Sequence, residues 1–263
     1  MKKRLVELLC CPVCFAGLRL TVLNESESAA AESRGPACSS WCEHRHTSLG
    51  PGQPGPDASE CTACYRREIA EGILTCEGCQ ARYPIIGAVP RLVRNAEAEY
   101  REFFARCAGG RPPNASTAGK PSPSVFDARS NESFGLQWRN QGEGDRTWFK
   151  EDVSLRREEF LYSLAVDRDD LRGALIFDAG YGNGRLTASL ANFGAEIVGM
   201  ELSVGGVEQA QAQKGRYAGE HEHRVHFIQG NVLELPVRAG SSARGINTGT
   251  LLRRSLICSD QQD

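Results

Sequence analysis

The 263-residue chain contains no run of about 18 or more consecutive apolar residues, so no segment has the makings of a bilayer-spanning helix. It is also short of net charge: 31 Lys and Arg against 33 Asp and Glu leave a formal balance of -2. That removes the broad basic footprint of a nucleic-acid-binding domain, and nucleic acid is not indicated by charge. The opening "MKKRLVELLCCPVC" has three basic residues, but the apolar stretch behind them, Leu5 to Leu9, is brief and interrupted by Glu7. It is too short and too polar for a secretory h-region. No internal repeat is visible. The expectation is an intracellular, cytoplasmic protein without a membrane partner.

Cysteine, by contrast, is plentiful and uneven. Nine of the eleven lie between Cys10 and Cys79, with only Cys107 and Cys258 outside. In an intracellular chain that pattern favours metal over disulfides. The pairs are Cys11/Cys14, Cys38/Cys42, Cys61/Cys64 and Cys76/Cys79, three of them C-x-x-C. One such pair could be a redox dithiol. Three in one short segment, with no thioredoxin-like βαβ pattern around them, read as thiolate knuckles for tetrahedral zinc. Cys10 reads as a packed thiol.

Composition divides the chain into residues 1–94, rich in cysteine; 95–150, a helix and linker; and 151–263, a different pattern. Inside the first part, 24–70 reads as a long inserted loop, because Ser, Ala, Gly and Pro dominate much of it and bury little. "AEAEYREFFARC" (96–107) places Tyr100, Phe103, Phe104 and Cys107 at helical spacing. Residues 108–124 are a linker by composition. After 150 the reading is a helix at 154–166 with Leu155, Phe160, Leu161 and Leu164 inward. A strand at 174–177, a helix at 184–194 and a strand at 195–201 follow. A helix at 204–214 and a strand at 224–230 complete the series. Alternating strands and helices imply a parallel α/β sheet.

Between the first strand and the next helix stands "FDAGYGNGRL". A tight turn with no ligand is the plain reading of such glycines. The βαβ context, with Glu201 ending a second strand about 20 residues later, favours a nucleotide-type site. A triphosphate loop calls for Gly-Lys-Ser/Thr, and here there is Gly-Arg-Leu. A dinucleotide fingerprint would place its third small residue at 185, which is Arg185. Asp178 at the mouth would repel a pyrophosphate and attract a cation. S-adenosylmethionine, with a sulfonium, an ammonium and a carboxylate but no phosphate, suits Gly180, Gly182, Gly184 and Asp178. Glu201 can accept from both ribose hydroxyls.

On the strength of "LIFDAGYGNGRLTASLANFGAEIVGMELS" and "VHFIQGNVLELPV", residues 172–237 resemble the cofactor half of class I S-adenosylmethionine-dependent methyltransferases. The resemblance implies that Glu201 holds the ribose and that Asn231, where Asp is commoner, faces the adenine. Tyr181 stands where a small residue is usual. "LELPV" (233–237) resembles the segment leading into a fourth strand, and "GINTGTLL" (245–252) keeps a faint likeness to that strand. The family sheet has seven strands, whereas 32 residues follow Asn231. The expected fold class is α/β, a partial doubly wound Rossmann-like methyltransferase sheet preceded by a small zinc-ribbon domain. The expected function is an S-adenosylmethionine-dependent methyltransferase of unknown acceptor, truncated and inactive by itself, whose exposed half sheet invites a partner chain. The alternative is a zinc-ribbon binding module with a non-catalytic methyltransferase remnant. No catalytic base can be named. The missing Asn-Pro-Pro-aromatic motif argues against an amino-group or nucleobase acceptor. Trp138 and Trp148 precede the first strand, as a lid or as plain packing.

"LVELLCCPVCFAGLRL" with "GILTCEGCQARYPIIGAVPRL" resembles the zinc-ribbon domain of the tRNA methyltransferase activator family. That resemblance implies one zinc on Cys11, Cys14, Cys76 and Cys79. The family's connecting loop is usually shorter. Here it carries Cys38, Cys42, Cys61 and Cys64, and the sequence leaves open whether they bind a nested second zinc. It equally leaves open whether His44 and His46 are substitute ligands or solvated loop residues.

Overall fold

The computed structural model describes residues 1–27, 38–50, 54–107, 132–133, 135–136, 153–164, 166–238 and 244–246. The linker at 108–124, Trp138, Trp148 and most of "GINTGTLL" lie outside the described residues. The chain divides into two compact units. One is Met1–Ser122 with Leu233–Ser241, and the other is Pro123–Val232 with Ser242–Asp263. No helix among the described residues is long and apolar enough to cross a membrane.

The first unit opens with a single helical turn, α1 (Leu5–Leu8), and then β1 (Leu18–Glu27). A small hairpin follows, β2 (Trp41–Cys42) with β3 (Thr47–Ser48), and then α2 (Ala58–Arg66). The chain returns as β4 (Arg67–Cys76), β5 (Arg82–Ile86) and β6 (Val89–Leu92). These pair antiparallel in the order β1-β4-β5-β6. Alternation along β4 buries Gly72, Leu74 and Cys76, with Leu74 opposite Tyr83 and Gly72 opposite Ile85, and a register shift against β1 lets Ile69 be buried as well. The excursion between the knuckles is therefore narrower than 24–70. Residues 24–27 and 67–70 are strand, because β1 and β4 satisfy each other's backbone across ten residues each.

The basic residues near the start serve ion pairs. Lys2, only 2% exposed, donates to the Tyr65 carbonyl at 2.6 Å and pairs with Glu68 at 2.7 Å. The helix expected over 96–107 is two, α3 (Ala96–Glu99) and α4 (Arg101–Cys107), broken at Tyr100. Phe103 and Phe104 are buried as expected, while Tyr100 and Cys107 are half-buried. Arg82 ties α3 down with a two-pronged bond to Glu97, at 3.1 and 2.7 Å.

Leu233–Ser241 groups with this first unit, although its sequence reads as the approach to a fourth strand. The Cys10 N–H donates to the Pro236 carbonyl at 2.9 Å, and the Arg238 N–H donates to the Leu8 carbonyl at 2.9 Å. Backbone pairing of this kind carries no side-chain pattern and is invisible in sequence.

The second unit contains α5 (Val153–Leu164), of which Leu161 is buried, and then β7 (Leu175–Ala179). After β7 come α6 (Arg185–Ser189), which tightens into a 3₁₀ turn over Leu190–Phe193, and β8 (Glu196–Glu201). Next come α7 (Val204–Ala218), β9 (Val225–Gly230) and β10 (Arg244–Ile246). Among the described residues these four strands are parallel, in the order β9-β8-β7-β10. The order reverses beside β7, which makes the carboxyl end of β7 the switch point where such sheets bind ligands. Gly194, at φ 85°, closes the second helix as its left-handed cap. The fold is the expected one, a Rossmann-like α/β sheet accompanied by a small cysteine-bearing domain.

Candidate functional site

Two places gather the expected site residues. The first is the carboxyl end of β7 and β8. Gly180, Gly182 and Gly184 all have positive φ, at 86°, 62° and 73°. Gly184 is held there from both sides, since a Cβ would fall 2.6 Å from the Ala210 Cβ and 2.8 Å from the Phe227 ring. The loop is bonded to the end of β8: the Gly180 N–H donates to the Met200 carbonyl at 2.7 Å. The Glu201 carboxylate then spans the gap. Its Oε2 accepts from the Gly182 N–H at 3.0 Å and its Oε1 from the Ser203 N–H at 2.9 Å. Ser203 also caps α7 by accepting from the Gly206 N–H at 3.3 Å.

The other expected residues distribute as follows. Asn231 comes directly after β9 and is half-buried. Asp178 is fully buried, and its Oδ2 accepts from the Thr187 hydroxyl at 2.6 Å. That oxygen braces the loop against α6 from beneath, whereas the sequence reading places Asp178 at the mouth. Tyr181 is buried with its ring 4.6 Å from that of Phe227, and it crowds Gly199. The ring thus belongs to the core, and the Tyr181 backbone is bonded to the Met200 carbonyl and the Gly184 N–H.

The second place is the meeting of the two outer knuckles. The sulfurs of Cys11, Cys14, Cys76 and Cys79 all lie within 4.8 Å of one another. Cys11 and Cys79 are 3.6 Å apart, and Cys14 and Cys76 are 3.3 Å apart. Tetrahedral zinc with Zn–S bonds of about 2.3 Å needs sulfurs roughly 3.8 Å apart, so small shifts admit the ion. Backbone amides already point at the sulfurs: the Val13 N–H at Cys11 (3.4 Å) and the Cys79 N–H at Cys76 (3.3 Å). The Tyr83 hydroxyl lies 3.0 Å from the Cys11 sulfur. Burial pushes the Cys76 thiol up to about 12 and raises that of Cys79. At Cys14 burial is outweighed by the Ala16 amide and by hydrogen bonds from Cys76 and Cys79, which hold the thiol at about 7. Four thiolates cannot share this space without a cation, and the donor set fits zinc.

A family model described as "Methyltransferase domain" matches residues 176–252, which run from β7 through β10, and another described as "Trm112p-like protein" matches residues 2–87. The chain joins a Trm112p-like domain to a methyltransferase domain. The outer four cysteines lie in the Trm112p-like domain, and the glycine loop, Glu201 and Asn231 lie in the methyltransferase domain.

Similar solved structures include the glycopeptide N-methyltransferase MtfA complexed with sinefungin, 16% identical over 49% of each chain with a TM-score of 0.31. Magnesium protoporphyrin IX methyltransferase from Synechocystis PCC 6803, with bound SAH, is 23% identical over 47% of this chain and 57% of that one, with a TM-score of 0.37. Geranyl diphosphate C-methyltransferase from Streptomyces coelicolor A3(2) is 18% identical over 48% and 56%, with a TM-score of 0.33. The chain spans about half the length of these structures. Comparison with curated proteins found no match.

Several residues that shape these sites escape a sequence reading. Thr187, Tyr83 and Gly206 act through contacts distant in sequence and leave no local signal. Ser203 could have been found, since a serine directly before a helical run is a recognised cap signal.

Proposed function

We propose that the methyltransferase domain binds S-adenosylmethionine across Gly180–Gly184 and Glu201, and that the Trm112p-like domain holds a structural zinc on Cys11, Cys14, Cys76 and Cys79. The observation that carries the cofactor reading is the setting of Glu201. Two backbone N–H groups, from Gly182 and Ser203, fix one bond to each carboxylate oxygen. A carboxylate has about four acceptor sites, so each oxygen keeps capacity for one ribose hydroxyl in a preset orientation. Asn231, at the end of β9, is assigned to the adenine amine.

In methyl transfer the acceptor attacks the methyl carbon in line, and the carbon–sulfur bond breaks to leave a neutral thioether. Positioning supplies most of the help. A second reading is a binding module whose methyltransferase domain does not catalyse. Under either reading a partner chain would add at the β10 edge, since β10 pairs with β7 on one side.

Calorimetric titration tests the cofactor reading. The Glu201→Ala variant should bind S-adenosylmethionine more weakly by about 1.5–3 kcal/mol, the usual cost of losing hydrogen bonds to a charged group. Unchanged affinity, or tighter binding of NAD than of S-adenosylmethionine, refutes the assignment. Radiolabelled methyl transfer into cell extract, measured against a Gly182→Arg control, separates the enzyme from the binding module.

A further inference from the structure

We propose that Cys38, Cys42, Cys61 and Cys64 form a second zinc centre, independent of the outer four cysteines. They come from three stretches: Cys38 on the approach to the hairpin, Cys42 in β2, and Cys61 with Cys64 one turn apart on α2. All four line one cavity, together with Arg4, His44 and Tyr65. A hairpin pair plus a helical C-x-x-C offers two sulfurs from each side, the donor set of a closed structural zinc site.

Three features of the surroundings support a metal there. The turn between Cys38 and Cys42 is held in place from outside. The Glu7 carboxylate accepts from the Ser39 N–H at 2.8 Å, the Ser39 hydroxyl at 2.9 Å and the Ser40 hydroxyl at 3.0 Å. One oxygen thus gathers the turn and sets both cysteines against α2.

Little else among the described residues holds the segment together, since the Arg45–Glu60 pair that ties the hairpin to α2 is at the surface, where ion pairs contribute little. Among the described residues between 38 and 66 the buried apolar side chains are Cys42, Cys61 and Tyr65, with Pro56 beside them. A hairpin of two-residue strands and a nine-residue helix cannot be held by that little burial, and small folds in this position depend on a metal or a crosslink. All four cysteines are free thiols.

Finally, the His44 Nδ1 is buried in the cavity wall without a hydrogen-bond partner among the described residues. As an N–H it can donate to a zinc-bound thiolate. Arg4 lines the same wall, where its guanidinium is paired with the Glu7 carboxylate that gathers the turn.

The sulfurs of these four are more widely set than those of the outer cluster, which is the only group of its kind among the described residues to close within 4.8 Å. In the proposed centre zinc draws them in.

Zinc content of the whole chain, purified under reducing conditions and measured by inductively coupled plasma mass spectrometry, tests the proposal. The wild type should carry about two equivalents. Cys61→Ser/Cys64→Ser and Cys76→Ser/Cys79→Ser should each carry about one, from different centres. A wild type with one equivalent that only the Cys76/Cys79 variant loses overturns the second centre. One equivalent that only the Cys61/Cys64 variant loses sustains it and overturns the zinc of the outer cluster. Because serine variants can also unfold the segment, cobalt(II) titration of metal-free wild type gives an independent reading. The sulfur-to-cobalt charge-transfer band should grow to two equivalents. Saturation at one, with intact mass showing disulfides among the inner cysteines, overturns the proposal.

Discussion

Replacing Gly206 with alanine should destabilise the protein, although alanine is the better helix former. Gly206 lies in the first turn of α7, where Gly→Ala normally gains about 1 kcal/mol. Here the new Cβ would lie 2.7 Å from the Gly182 carbonyl oxygen, 2.8 Å from the Ser203 hydroxyl and 3.1 Å from the Glu201 Cγ. The first of these is backbone and cannot rotate aside. Either α7 lifts from the glycine loop or the loop retreats. Overpacking of this kind costs about 1–3 kcal/mol, and a disturbed Ser203 cap adds about 1 kcal/mol. Set against the propensity gain, the net loss is about 1–3 kcal/mol. The same displacement moves Gly182 and Glu201, so affinity for S-adenosylmethionine should fall as well. Urea unfolding followed by circular dichroism reads the first effect, and calorimetric titration reads the second. An alanine variant that is as stable as wild type or more so, with unchanged affinity, would show that α7 does not rest on the loop as described.

Two further outcomes are expected. Zinc binding by the Cys61→Ser/Cys64→Ser variant should release at least about two protons per ion near pH 8, because burial keeps Cys76 and Cys79 protonated in the metal-free protein while Cys14, at about 7, is already largely ionised. The count should rise by about one near pH 6 as Cys14 gains its proton, and affinity should fall accordingly. Calorimetry in buffers of different ionisation enthalpy measures it, and release of fewer than about one proton near pH 8 would contradict the ligand set. Thr187→Val should cost about 2 kcal/mol in urea unfolding, since it removes the 2.6 Å donor to the fully buried Asp178, and Thr187→Ser should recover most of that. Equal losses in both variants would assign the effect to packing.

The α/β alternation, the glycine loop and the cysteine pairs were legible because each is local. Periodicity, turn residues and ligand spacing are written within a few positions of the element they specify. The strands at 195–201 and 224–230 were placed within a residue of β8 and β9 for that reason. The helix expected over 204–214 runs on to Ala218, past Gly215, and Gly206 lets its first turn approach the loop.

The sequence by itself therefore determined the class of fold, the place of the glycine loop and the residue types available for metal. Tertiary structure alone decided how those residues are used. It brought Cys11 and Cys14 to Cys76 and Cys79 across more than sixty intervening residues, through the antiparallel pairing of β1 with β4. It turned Asp178 inward to Thr187 and Tyr181 inward to Phe227, leaving Glu201 bonded to the loop. It took Pro236 and Arg238 out of their run and bonded them to Cys10 and Leu8. Each of these rests on backbone pairing or burial between distant segments. Such contacts are chosen by the free energy of the whole chain, so no local pattern records them.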